Sequence, residues 1–155
     1  MATRVADLVT APDRVMLDTN VLIAATDEGR AEHRDALTVV NDWAAGHTEL
    51  YTSGQVLREY LTVATRPAEK NGLGLNLSDA LGNVHAIRER STLLAEDAKV
   101  ADRLLSLLAD VECRGKQVHD ANVVATMLVH GVRTVVTMNL EDFRRFEGHV
   151  SLIRL

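Results

Sequence analysis

Asp18, Glu59 and Asp120 lie far apart along the chain, and each stands where an α/β fold could aim a carboxylate into one cleft. Three such carboxylates together would hold Mg²⁺ or Mn²⁺, because hard oxygen ligands suit these ions better than zinc. Crowded anions repel one another and bind protons more tightly unless a divalent cation compensates them. With metal bound, a site of this class activates water for in-line attack at phosphorus and stabilises the leaving oxygen.

The elements around each acid can be read locally. Arg14-Val-Met-Leu17 is a short apolar β run, followed by Asp18-Thr19-Asn20 and the apolar helix start Val21-Leu22-Ile23. Asp18 therefore falls at the carboxyl end of a strand, the edge at which open α/β sheets place ligands. Capping of the next helix is the other role open to it. Glu59 lies on the margin of a helix from Gly54 to Ala64, whose apolar stripe runs through Val56, Leu57, Tyr60, Leu61 and Ala64. From there it could face a cleft, stay solvated, or pair with Arg58 or Arg66. Asp120 opens the segment His119 to Gly131, apolar nearly all round and so a buried helix, with Gly131 as its C-terminal stop. A first-turn Asp also suits the helix dipole, which leaves capping open here too. Arg133-Thr-Val-Val-Thr137 is a further strand, ending in Thr137-Met-Asn-Leu-Glu-Asp-Phe143.

The elements alternate strand and helix along 155 residues, which predicts a single α/β domain over 1–155 with a parallel sheet between helices. Candidate strands are Arg14 to Leu17, Leu50 to Thr52, Thr92 to Leu94, Thr134 to Thr137 and Ser151 to Ile153. A hydrophobic content of 46% supports a core, and no linker, repeat or low-complexity tract interrupts it. The N-terminus lacks a signal-peptide core and no run approaches the ~20 apolar residues of a membrane span, so no membrane role is expected. Cys113 is alone, which excludes a disulfide framework and makes the cytoplasm the expected setting. Its place at a helix end beside Glu112 argues for a structural thiol.

Net charge of −5 argues against nucleic-acid binding by the bulk surface. A local basic rim remains available from Arg58, Arg66, Arg114, Lys116, Arg144 or Arg145, each of which could equally be a solvated surface charge. Aromatic residues make only 3% of the chain, and Trp43 and Phe143 read as core rather than a stacking platform. The six His show no zinc spacing, although His119 could touch a phosphate or a metal-bound water. Ser53 lacks a serine-hydrolase motif, no Gly-rich loop forms a P-loop, and no organic cofactor is indicated.

Leu17-Asp18-Thr19-Asn20-Val21-Leu22, Gln55-Val-Leu-Arg-Glu59, His119-Asp120-Ala121 and Thr137-Met138-Asn139-Leu140-Glu141-Asp142-Phe143 together resemble the PIN-domain ribonucleases, nearest to their VapC-type toxins. The four motifs stand in the family's order over nearly the whole chain. Thr65-Arg66-Pro67 to Asn71-Gly72-Leu73-Gly74-Leu75 also looks like a connection found in one VapC subgroup. The resemblance implies a PIN-like three-layer α/β/α sandwich with a mostly parallel sheet of about five strands. It further implies a Mg²⁺-dependent (or Mn²⁺-dependent) endoribonuclease, the toxin of a toxin–antitoxin pair, acting on RNA as a homodimer and held by a VapB-like antitoxin. Asp18, Asp120 and Glu59 would be the metal ligands. The family often adds a fourth acid after the last central strand, where this chain has Asn139, with Asp142 three residues on. Asp142 is then the fourth candidate or a turn cap, and Asn139 a polar orienter. Thr19, Asn20 and Thr137 are candidates to lock the carboxylate rotamers. Two alternatives stand beside this one: a PIN-like RNA- or protein-binding module with impaired catalysis, and another Mg²⁺-dependent phosphohydrolase. A haloacid-dehalogenase-like enzyme would need a second Asp two residues after Asp18, and Asn20 is there instead.

Overall fold

The computed structural model describes residues 2–155. Strands β1 (Thr3–Arg4), β2 (Arg14–Leu17), β3 (Glu49–Ser53), β4 (Ser91–Leu94), β5 (Thr134–Thr137) and β6 (Ser151–Arg154) form one six-stranded sheet. Their order is β1-β6-β5-β2-β3-β4, and every pairing is parallel. Parallel neighbours need long crossovers. Helices α1 (Thr19–Thr26), α2 (His33–Leu37), α3 (Gly54–Thr65), α4 (Leu77–Arg90), α5 (Ala98–Asp110), α6 (Gln117–Val129) and α7 (Leu140–Arg144) supply them.

Val15, Met16 and Leu17 of β2 are all fully buried although successive side chains point to opposite faces, so the sheet is covered on both sides. This is why the central strands read as unbroken apolar runs. Helix α2 continues into a π-helical stretch, Thr38–Trp43, that turns Val39, Val40 and Trp43 into the core. Phe143 and Phe146 are fully buried and meet edge to face at 6.4 Å between ring centres.

Because all strands run the same way, their carboxyl ends share one edge. Leu17 pairs with Val136, Thr137 with Arg154 and Arg4 with Arg154, which sets the end of β2 in mid-sheet beside β5, with β6 and β1 beyond. On the opposite flank β3 ends at Ser53, whose hydroxyl accepts the Val56 N–H at 3.4 Å and starts α3 at once. Two glycines fix the connections. Gly131 stops α6 at a φ of +70°, and a Cβ on Gly72 would lie 1.9 Å from the Arg66 carbonyl, so the loop closes on α3 only with glycine there.

All five strands anticipated from the sequence are present, shifted by at most a residue or so at their ends. The sheet has a sixth strand, β1, a two-residue exposed edge within the leading segment whose role the sequence left open. Its length and exposure leave no alternation to read. Helix α6 begins at Gln117, two residues before the expected His119, because Arg114, Gly115 and Lys116 make turn hydrogen bonds that lead into it. Cys113 lies half-buried in the loop between α5 and α6 rather than at a helix end. Among the described residues no helix is long and apolar enough to cross a membrane.

Candidate metal centre

Asp18 ends β2 and caps α1, so the strand-end and capping readings describe the same geometry. Its Oδ1 accepts the Thr19 N–H at 2.8 Å, while Oδ2 accepts the Thr137 hydroxyl at 2.7 Å and the Asn20 amide at 3.0 Å. A carboxylate oxygen can accept twice, so Oδ2 is filled and Oδ1 keeps one free lone pair. Asn20 also accepts the Met138 N–H at 3.0 Å, and the Thr137 hydroxyl accepts the Asn139 N–H at 3.0 Å. These bonds hold the loop after β5 against Asp18. They also commit the Asn20 side chain, a neutral amide that supplies no second carboxylate here.

Glu59 is half-buried on α3, with Oε2 accepting the Thr19 hydroxyl at 2.8 Å and Oε1 the Gln55 amide at 2.8 Å. Gln55 does more than its place in a motif suggested. The same amide donates to the His119 carbonyl at 3.0 Å and the Gln55 oxygen accepts from Asn122 at 2.7 Å, so one side chain ties α3 to the first turns of α6. Glu96 in turn accepts the Gln55 N–H at 3.0 Å and sets the start of α3. Neither Asn122 nor Glu96 stood out in the sequence, although an Asn two residues past Asp120 in an otherwise apolar helix was a usable signal.

Asp120 occupies the first turn of α6 and is half-buried. Burial pushes its pKa up to about 7, and the negative charges of Asp142, Asp18 and Glu59, in that order, push the same way, against a weaker pull from Arg145. Asp18 is raised to about 6, by burial first, with Glu59 adding to it and the bonds from Thr137, Thr19 and Asn20 opposing. The charges of Asp18 after β2, Glu59 on α3 and Asp142 on α7 thus all reach Asp120 on α6, and that of Glu59 also reaches Asp18. Asp142 sits in the first turn of α7, and its N–H caps onto the Asn139 carbonyl at 3.1 Å. Asn139 is held through its backbone and lines a groove with Asp142, Arg144 and Arg154.

The donor set consists of oxygens, as Mg²⁺ or Mn²⁺ requires, and the burial and, after it, the repulsion that raise Asp120 and Asp18 are what a divalent ion would offset. Asp18 fits as a one-oxygen ligand through Oδ1. Among the described residues no three His, Cys, Asp or Glu side chains already stand gathered as a ligand group, so an ion would have to draw the acids together.

Of the expected basic rim, Arg58 and Arg66 line a groove of about 370 Å³ with Thr19, Glu59 and His119. Arg114 pairs with Glu112 at 2.6 Å, Arg144 with Glu141 at 2.9 Å, and Arg145 turns inward to the Glu112 carbonyl at 3.2 Å. Burial pushes the Cys113 thiol up, away from nucleophile behaviour. A more apolar groove of about 350 Å³ between α1, α3 and α4 contains none of the four acids, so its shape says nothing about their chemistry.

Residues 15–148 match the sequence profile of the PIN domain. The chain belongs to the PIN-domain family. Ribonuclease VapC48 of Mycobacterium tuberculosis is 33% identical over 133 residues, covering 84% of this chain and 90% of that protein. Ribonuclease VapC24 of the same organism is 29% identical over 136 residues, covering 84% and 89%. Among solved structures, VapBC2 from Rickettsia felis bound to a promoter DNA fragment superposes with a TM-score of 0.68 at 17% identity, covering 92% of this chain and 98% of that one. VapC20 of Mycobacterium tuberculosis, a sarcin-ricin-loop-cleaving toxin, gives 0.55 at 23% identity, covering 78% and 86%. The fold is therefore PIN-like, with the acids on the carboxyl edge of its sheet.

Proposed function

We infer that this chain is a metal-dependent endoribonuclease of the VapC kind, the toxin of a toxin–antitoxin pair. The observation that carries the reading is the charge of Asp18, Glu59 and Asp142 reaching Asp120 from separate elements, in a chain of this family. Bound there, Mg²⁺ or Mn²⁺ would supply the positive charge that phosphodiester hydrolysis needs, lowering the pKa of the attacking water and offsetting charge on the leaving oxygen. Asp18 and Asp120 are the direct ligands in this reading. Glu59 completes the set or holds a water, and Asp142 serves beside Asp120.

The surrounding residues hold these oxygens in place. Thr137, Asn20 and the Thr19 N–H fix the Asp18 rotamer, and Gln55 with the Thr19 hydroxyl fixes Glu59. Asn139 steadies the Thr137 hydroxyl through its N–H rather than acting as an acid. A VapB-like antitoxin partner is part of the proposal, as is a homodimer. Neighbouring structures such as the Rickettsia felis VapBC2 complex support the partner by their composition.

Purified protein incubated with total RNA under Mg²⁺ or Mn²⁺ titration should cut it, chelator should stop the cut, and Asp120→Asn should abolish it. A binding module would retain RNA without cutting, and a small-molecule phosphohydrolase would release phosphate from monoesters instead. Either result would overturn the reading.

A further inference from the structure

The sheet order places two basic grooves on opposite flanks of the acid cluster. On the β3 side, Arg58 on α3 and Arg66, the extended residue that caps the end of that helix, are both exposed and line one groove with Thr62. Among the described residues the ion contact of Arg58 is a long one, 3.9 Å to Glu96, whose other oxygen is already taken by the Gln55 N–H. On the β6 and β1 side, Arg154 and Arg4 are register partners at the carboxyl ends of their strands, and both are exposed. They line a groove of about 690 Å³ with Arg144 and Leu140, where the three arginines outnumber the two acids, Asp7 and Glu147. That groove is contiguous through Arg144 and Arg154 with the one lined by Asn139 and Asp142.

We propose that a single RNA strand crosses the acid cluster from one groove to the other, its backbone phosphates held by Arg58 and Arg66 on one side of the scissile bond and by Arg154 and Arg4 on the other. The inference rests on the ribonuclease reading and adds the path of the substrate to it. An acidic protein with a cleft of carboxylates repels a polyanion, and the strand can stay over the cleft only where cations flank it. The row Arg4, Arg154, Thr137 and Asp18 is fixed by strand register, so this arm holds a set position relative to the acids. On the other arm Arg58 is adjacent to Glu59 on α3, and Arg66 follows directly on the end of that helix. With few aromatic side chains available for stacking, binding along this path is mainly electrostatic and tolerant of sequence.

The test is the salt dependence of binding a fluorescent single-stranded RNA of random sequence to the full chain in Ca²⁺. Each lost phosphate contact on a single strand lowers the slope of log affinity against log salt by about 0.7. R58A with R66A should therefore lower it by about 1.4, R154A with R4A by a similar amount, and the two losses should add. R133A, which removes the same charge at the amino edge of the sheet, is the control and should leave the slope unchanged. An arm whose double variant behaves like R133A, or an absence of RNA binding in the wild type, overturns the path. Cleavage in Mg²⁺ is read separately. If D120N abolishes cutting but both arms are inert, the path fails and the ribonuclease reading stands. If both arms respond and nothing is cut, the ribonuclease reading fails while the binding path holds.

Discussion

Asp120 carries the clearest electrostatic signature of the molecule, and its sign can be worked out. The unfolded chain ionises this group near 3.8 and the fold near about 7, so the stability it contributes is complete below 3.8 and lost as pH rises through the higher value. Without metal, Asp120→Asn should melt like the wild type in acid and be more stable by about 1–2 kcal/mol at about pH 8, solvent screening of the half-exposed carboxylate having reduced the gain. Saturating Mg²⁺ should reverse the order by stabilising only the wild type. Equal melting temperatures at all pH values without metal would refute the repulsion. Thr137 makes a second case at this scale. Thr137→Val keeps the shape but removes the donor to Asp18 and the acceptor for the Asn139 N–H, at a cost of about 1–3 kcal/mol in stability. Tighter proton binding by Asp18 should accompany it, seen as weaker Mg²⁺ binding at neutral pH in calorimetry. A variant as stable and as Mg²⁺-avid as the wild type would remove Thr137 from the site.

Between elements, the site depends on Gln55, which bridges α3 and α6 by two hydrogen bonds and holds Glu59 on its own helix by a third. Gln55→Leu leaves the Asn122 amide, the His119 carbonyl and Glu59 short of partners in a partly buried place. Denaturant unfolding should show a loss of about 1–3 kcal/mol, with cleavage falling further than that loss explains because Glu59 and Asp120 lose their common tether. Unchanged cleavage in a destabilised variant would make Gln55 a packing residue only. This bridge marks the limit of what the sequence tells. Apolar runs such as Val15 to Leu17 and Val135 to Val136 declare buried parallel strands, and family motifs point to the acids one by one. A side chain that joins two helices 67 residues apart has no local pattern, and β1 is too short and exposed to have one either. Asp142 was equally ambiguous, since first-turn placement fits capping and a shared charge field alike. Its electrostatic push on Asp120 favours the shared charge field.

At the scale of the whole molecule, an acidic protein presents a concentrated negative cleft on one edge of a sheet that is otherwise closed by helices. When the protein is idle, protons on Asp120 and Asp18 offset part of that charge and a cation can offset the rest. A divalent ion is one solution and a basic side chain of an inhibitory partner is another, since Arg offers carboxylates a planar two-pronged donor. We predict that the antitoxin presents an Arg or Lys to Asp18, Glu59 and Asp120 and so competes with Mg²⁺ as well as covering the RNA path. Removing one member of a desolvated charge pair commonly costs about 2–5 kcal/mol, so replacing that residue with Ala should weaken the complex by roughly thirtyfold or more. Affinity should also fall as Mg²⁺ rises at constant ionic strength, which separates competition at the acids from general screening. Partner affinity indifferent to both changes would place the contact on the helical surface, and the acid cluster would then be left to metal alone.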